Sequence, residues 1–188
     1  MSRLDDLIRR YDHFVSLPWE QGLSGLQKVW FAVYDKEDER RFRLKIGEFE
    51  LSTKRRGHGW QIIDLTDAFA HWMAEHDYRE DYFEEPDYLD TMALEPFHQS
   101  VCEQVRKLLQ SPSADENTVV ALQGVASLFG FTKVSGLIKD LEEAIRGRLL
   151  VFFPGEYENN NYRLLDARDG WNYMAVPLTA HNGNGVEA

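Results

Sequence analysis

The sequence predicts a three-layer α/β protein with a mostly parallel sheet and helices on both of its faces. Short apolar runs of strand length alternate along the chain with amphipathic helical segments. The runs are apolar throughout, which is typical of strands that are buried on both faces. A length of 188 residues suits one compact domain. We therefore expect a single domain over residues 1–180 and a flexible Gly- and Asn-rich tail over residues 181–188.

The first element is an amphipathic helix over residues 2–16. Its apolar residues recur at steps of three and four, Ser2 can cap its start, and Pro18 follows its end. The stripe can be buried in the chain's own core, which is the commoner outcome, or against a partner protein. On the second interpretation the candidate partner-binding residues are Leu4, Leu7, Ile8, Tyr11 and Trp19.

The remaining elements continue the alternation. Apolar runs predict strands over residues 29–35, 60–65, 118–122, 148–153 and 173–178. The spacing predicts helices over residues 37–56, after a cap at Thr66, over about 97–109 and over 135–145. Residues 37–56 also fit a strand pattern, but the pairs Glu37–Arg41 and Glu39–Arg43 favour a helix because opposite charges four residues apart stabilise one.

Nucleotide-binding motifs are absent from the sequence. The first predicted strand runs into Asp35–Asp38 without glycines, and neither Gly-x-Gly-x-x-Gly nor a phosphate loop ending in Gly-Lys-Ser/Thr occurs. We therefore expect a Rossmann-like fold, or a degenerate relative of the P-loop folds without a P-loop, and no cofactor. His98 and Cys102 share a helix face, as a catalytic dyad would, but the sequence reveals no third group to orient them.

Three carboxylates are the weak candidates for a metal site. Asp35 and Asp64 end two predicted strands and Glu156 follows a third, so neighbouring strands would bring them to one edge of the sheet. The alternative is that Asp35 and Asp64 accept hydrogen bonds from the backbone amides of the following helices. The second interpretation is the commoner one at such turns.

The net charge of −11 disfavours autonomous binding to nucleic acid, because that affinity depends on neutralising phosphates. A cluster of Arg and Lys over residues 40–56 could still contact phosphate, but nearby glutamates can pair with it. Residues 75–95 carry nine acids against Arg79 alone, which fits a solvated face or a surface for a basic partner. No apolar run is long enough to span a membrane, and a single cysteine fits a reducing compartment, so we expect a cytoplasmic protein.

The second half of the chain carries a family likeness. Arg148–Tyr157 (RLLVFFPGEY) and Asn160–Tyr173 (NNYRLLDARDGWNY) resemble BrxB, the small B component of BREX (bacteriophage exclusion) systems. Gly124–Phe131 and Phe31–Glu39 support the likeness, which extends over about residues 1–178.

The resemblance implies a component of phage defence encoded beside a methyltransferase, a large ATPase and PglZ, an alkaline-phosphatase-like protein. It supplies no catalytic residues to place on this chain. We therefore expect a non-catalytic adaptor that binds a PglZ-like protein, with the ATPase and methyltransferase as further partners. The alternative is a metal- or nucleotide-dependent enzyme that uses the strand-end carboxylates.

Overall fold

A computed structural model describes residues 2–165, 167–171 and 175–180, and for residues 167–171 it describes the backbone alone. The helices are α1 (Arg3–Ser16), α2 (Glu39–Arg55), α3 (Ala68–Ala74), α4 (Arg79–Glu84), α5 (Thr91–Leu109) and α6 (Val134–Leu141). The strands are β1 (Val29–Tyr34), β2 (Gly59–Asp64), β3 (Thr118–Gln123), β4 (Arg148–Glu158), β5 (Asn161–Leu164), β6 (Ala167–Trp171) and β7 (Val176–Thr179).

The centre of the fold is a parallel sheet with the strand order β2-β3-β4-β1-β7. In the register of the inner pair, Val29 lies opposite Leu149 and Val33 opposite Phe153. The strands β1 and β3 and the first eight residues of β4 are buried almost throughout, as expected for strands covered on both faces. The predicted fold class is confirmed.

Side chains alternate between the two faces of this sheet because successive residues of a strand point to opposite sides. On one face, Phe31, Val151 and Phe153 pack with residues of α5 and α6. On the other face, Trp30 and Phe152 pack with residues of α1 and α2. Two helical layers therefore enclose the sheet and each covers its own apolar cluster.

The apolar stripe of α1 belongs to the chain's own core, the commoner of the two outcomes that the sequence leaves open, and not to an exposed partner-binding surface. Leu4, Leu7, Ile8 and Tyr11 are all buried against the face of the sheet that α2 also covers. The hydroxyl of Tyr11 is hydrogen-bonded to Thr53 Oγ1 at 2.6 Å, within this core. The physical reason is that the stripe covers apolar side chains of β1 and β4, which would otherwise face water.

Most helix boundaries lie close to the predicted ones. Ser2 and Asp5 form a capping box at the start of α1, and α2 is a helix as predicted. The helix α5 begins at Thr91, earlier than predicted, because Asp90 caps its amides and Pro96 is accommodated inside it. Thr66 does not cap α3, since its hydroxyl is hydrogen-bonded to the carboxylate of Asp64.

A β-hairpin extends the sheet beyond Pro154, where the sequence predicts that the strand ends. The last residues of β4 pair antiparallel with β5, which pairs in turn with β6. Asn159 and Asn160 form the two-residue turn with φ angles of 50° and 61°, a conformation that asparagine tolerates. At Gly155 an added Cβ would lie 1.9 Å from the carbonyl oxygen of Arg163, so only glycine allows this close approach of β5.

The last strand, β7, pairs parallel with β1 and ends the described part of the chain. Residues 173 and 174 of its predicted range and the predicted tail over 181–188 lie outside the described residues. Among the helices that the structure describes, none is both long enough and apolar enough to cross a membrane.

Candidate functional site

Among the described residues, the strand-end carboxylates do not form a group that could hold a metal ion. Two strands, β3 and β4, separate β1 from β2, so Asp35 and Asp64 do not end neighbouring strands as predicted. Asp35 Oδ1 accepts a hydrogen bond from the Glu37 amide at 3.0 Å, and Asp64 Oδ1 accepts one from the Thr66 amide at 2.9 Å. Glu156 lies on the hairpin, opposite Arg163. Both aspartates therefore serve the turns that follow their strands.

Arg43 joins α2 to the carboxyl edge of β2. Its guanidinium donates to Glu39 at 2.7 Å and to Thr66 at 3.0 Å, and it lies 3.9 Å from the Asp64 carboxylate. Glu39 also accepts a hydrogen bond from the hydroxyl of Tyr34. Burial, followed by the Glu39 carboxylate, raises the pKa of Tyr34 above its usual range. The tyrosine therefore stays neutral and acts as a donor within this network.

Four more basic residues of α2 and its carboxyl end have acidic partners in the same molecule. Arg41 pairs with Asp38, Lys45 with Asp5 and Glu48, Lys54 with Glu50, and Arg56 with Asp12. The basic side chains in these pairs already contact carboxylates, so they are less available to neutralise the phosphates of a nucleic acid. Two of these pairs, Lys45–Asp5 and Arg56–Asp12, join α2 to α1.

Trp19, the fifth predicted partner-binding residue, is built into the fold. Its ring stacks on His58 with centroids 3.8 Å apart and an interplanar angle of 3°. The guanidinium of Arg148 lies 4.7 Å from the centroid of the indole, a cation–π distance. Arg148 in turn donates to the backbone carbonyl of Glu20 at 3.1 Å. Trp19 therefore holds the loop after α1 against the amino end of β4.

The acidic–aromatic segment, defined as residues 75–95, carries exposed aromatic side chains among its acids. It contains α4 and a short turn that begins at Pro86. Tyr78, Phe83 and Tyr88 are each 63% exposed and Met92 is 84% exposed. Contiguous exposed apolar patches on a protein surface can mark interaction sites.

The acidic–aromatic segment is attached to the core at both ends. Before it, Trp72 of α3 packs on Phe97 with ring centroids 5.5 Å apart. Arg79, its one basic residue, donates to the Ala74 carbonyl at 2.6 Å. Near its other end, Asp90 caps α5 by accepting a hydrogen bond from the Ala93 amide at 2.8 Å. The aromatic side chains therefore project from a segment whose ends are fixed.

A second group of functional side chains lies between α5 and α6. His98 Nε2 is 2.8 Å from Asp140 Oδ2 and 3.5 Å from the sulfur of Cys102. His98 Nδ1 is 2.5 Å from the hydroxyl of Thr132. Asp140 is therefore the third group that the sequence could not reveal, because it lies 42 residues from His98 along the chain.

This group is poorly built for nucleophilic catalysis. Cys102 is fully buried, and burial, with a smaller effect of Asp140, raises the pKa of its thiol to about 11. A nucleophilic cysteine needs access to substrate and a lowered pKa. In addition, the aspartate and the cysteine both face the same imidazole nitrogen, whereas a triad places them on opposite nitrogens. His98 and Cys102 therefore have a third partner in Asp140, but the three residues lack the arrangement of a catalytic triad.

Fold and sites together define an α/β protein with a parallel sheet, no phosphate loop, and an exposed acidic and aromatic surface. Residues 62–178 match the family model described as BREX protein BrxB. Because this match covers more than half of the chain, the chain belongs to the BrxB family and is a component of BREX phage defence. The family resemblance inferred from the sequence is confirmed.

The matched range begins within β2 and includes the acidic–aromatic segment, α5, α6 and the hairpin. The stretch Phe31–Glu39, which supports the resemblance at the sequence level, lies before the matched range. No curated protein and no solved structure matches the chain.

Proposed function

We propose that this protein is a non-catalytic adaptor of a cytoplasmic BREX complex and that it binds the PglZ-like component through the acidic–aromatic segment. The observation that carries the proposal is the grouping of Tyr78, Phe83, Tyr88 and Met92, all exposed, within a run of nine acids. Membership of the BrxB family supports a role beside other BREX proteins. The ATPase and the methyltransferase are further proposed partners.

The chemistry of the segment fits a basic partner surface that contains apolar pockets. Tyrosine is among the residues that most often dominate binding energy at interfaces, because its ring buries a large area at a small cost in entropy. The surrounding carboxylates would attract a positively charged surface and raise the rate of encounter. Arg79 is already bound to Ala74 and Glu80, so it offsets little of this negative charge.

The geometry of the segment also fits docking without refolding. Its ends are fixed by Arg79 and by the Asp90 cap, and the exposed rings already project from the surface. A partner would therefore bind a preformed surface and would not have to order a free chain, which reduces the entropic cost of association.

The proposal is tested by co-expression with the PglZ-like protein and affinity capture of the complex. The triple variant Tyr78→Ser, Phe83→Ser, Tyr88→Ser removes three exposed rings that lie outside both core clusters. We expect the affinity for the partner to fall at least about tenfold, since losing one interfacial hot spot typically costs more than 1.4 kcal/mol. The thermal unfolding midpoint should be unchanged.

A matched control is available on the opposite helical layer. Leu44 and Leu51 of α2 are also exposed apolar residues, at 85% and 47%. The variant Leu44→Ser, Leu51→Ser should leave partner capture unchanged. Undiminished capture of the triple variant, or an equal loss in the α2 control, would show that the acidic–aromatic segment is not the docking surface.

A further inference from the structure

We infer that His98, Cys102 and Asp140 form a binding site for a divalent transition metal ion of the zinc class. Among the described residues, these three offer an imidazole nitrogen, a sulfur and a carboxylate oxygen that all lie within 4.8 Å of one another. Nitrogen and sulfur ligands combined with one carboxylate suit Zn²⁺, whereas Mg²⁺ and Ca²⁺ prefer oxygen alone.

Two helices position the ligands. His98 and Cys102 are one turn apart on α5 and therefore share the face that meets α6. Asp140 lies in the last turn of α6, and Arg106 donates to its backbone carbonyl at 3.1 Å. The site thus joins two elements that already pack together and requires no rearrangement of the backbone.

The distance between the nitrogen and sulfur ligands agrees with tetrahedral coordination. A zinc ion bound at ordinary lengths sets a ligand nitrogen and a ligand sulfur about 3.5 Å apart. The separation between His98 Nε2 and Cys102 Sγ is 3.5 Å. Nitrogen and oxygen ligands would lie about 3.4 Å apart, against the present 2.8 Å between His98 and Asp140. The half-exposed Asp140 side chain would therefore move outward by about half an ångström on binding.

The surroundings of His98 resemble the outer shell of a metal site. A ligating histidine usually donates its second ring N–H to a nearby oxygen, which fixes the tautomer. Thr132 Oγ1 lies 2.5 Å from Nδ1 and can accept that bond, so Nε2 is left to face Cys102 and Asp140. The histidine side chain is 14% exposed and that of Asp140 is 47% exposed, so an ion can reach the site from solvent on the side of Asp140.

The site is independent of the proposed docking of a PglZ-like protein. It uses buried and half-buried groups between α5 and α6, whereas docking uses exposed rings of the acidic–aromatic segment. Metal binding can therefore be tested on the isolated chain, and its outcome does not decide the outcome of partner capture.

The test is a titration of the untagged, reduced full-length chain with Co²⁺, followed by competition with Zn²⁺. We expect one Co²⁺ per chain, a sulfur-to-cobalt charge-transfer band in the near ultraviolet, and displacement by one equivalent of Zn²⁺. Cys102→Ser should abolish the band. His98→Asn and Asp140→Asn should each lower the affinity at least about tenfold.

A second ligand variant and a control variant complete the test. Asp140 is half exposed, so Asp140→Asn remains informative if Cys102→Ser fails to fold. The control His13→Asn changes an exposed histidine on α1, far from the site in sequence, and should bind Co²⁺ as the unmodified chain does. No charge-transfer band in the unmodified chain, or unchanged affinity in both His98→Asn and Asp140→Asn, would overturn the inference.

Discussion

Leu7 is 1% exposed and lies in the apolar cluster that α1 forms with the sheet. Truncating it leaves a cavity that the surrounding aromatic side chains cannot fully close. We expect Leu7→Ala to lower the free energy of unfolding by about 2–5 kcal/mol, measured by urea denaturation. Partner capture by the fraction that remains folded should be unaffected.

Leu44 provides the control for Leu7, because it is a leucine on the neighbouring helix that is 85% exposed. Leu44→Ala should change the free energy of unfolding by no more than about 0.5 kcal/mol. A Leu7→Ala variant as stable as the Leu44→Ala variant would mean that the stripe of α1 is not core. Docking by α1 would then have to be considered again.

The sequence predicts at the residue scale only what is local. The Ser2 cap and the turn bonds of Asp35 and Asp64 involve neighbours two or three residues away, and the structure contains them. The pair His98 and Cys102 is also visible, since it follows from helical spacing. Asp140 is not, because its position depends on how α6 packs on α5.

At the scale of elements, the contact between α1 and α2 is reinforced by ion pairs. Asp5 accepts a hydrogen bond from Lys45 at 2.7 Å, and this bond, followed by those from Ser2, holds the pKa of Asp5 below its usual range. Because the folded pKa is lowered, the unfolded chain binds more protons. The stabilisation is present above the unfolded pKa of about 3.9 and is lost as pH falls through the folded value.

The variant Asp5→Asn should therefore flatten the dependence of the unfolding free energy on pH below about pH 4. Urea denaturation at several pH values measures this slope. Lys45→Gln removes the same bond from the other side, so it should flatten the same region, and the double variant should add little more. If the unfolding free energy of Asp5→Asn fell as steeply with pH below about pH 4 as that of the unmodified chain, the bond between Asp5 and Lys45 would not stabilise the fold.

The elements themselves are largely predictable, whereas their neighbours in the sheet are not. Apolar runs of strand length predict the strands, and oppositely charged residues four apart predict the helix α2. Strand order places β3 and β4 between β1 and β2, which separates Asp35 from Asp64. The sequence does not predict the hairpin of β4 and β5, because Pro154 and Gly155 suggest an end to the strand, although the pair Asn159 and Asn160 is its turn signal.

For the whole molecule, the net charge of −11 is unevenly distributed. Acids and bases of α1 and α2 form ion pairs on one side of the sheet. The acidic–aromatic segment follows α3, whose aromatic residues pack on the opposite cluster, and retains nearly all of its negative charge. The negative charge is therefore concentrated on the surface that we propose for docking.

Hydrogen exchange, measured on the free chain and on its complex with the PglZ-like protein, tests the central claim most directly. The docking proposal predicts that backbone amides within residues 75–95 exchange more slowly in the complex, while those of α1 exchange at the same rate in both samples. A complex in which residues 75–95 exchange as in the free chain, and protection appears instead over α1 and α2, would contradict it.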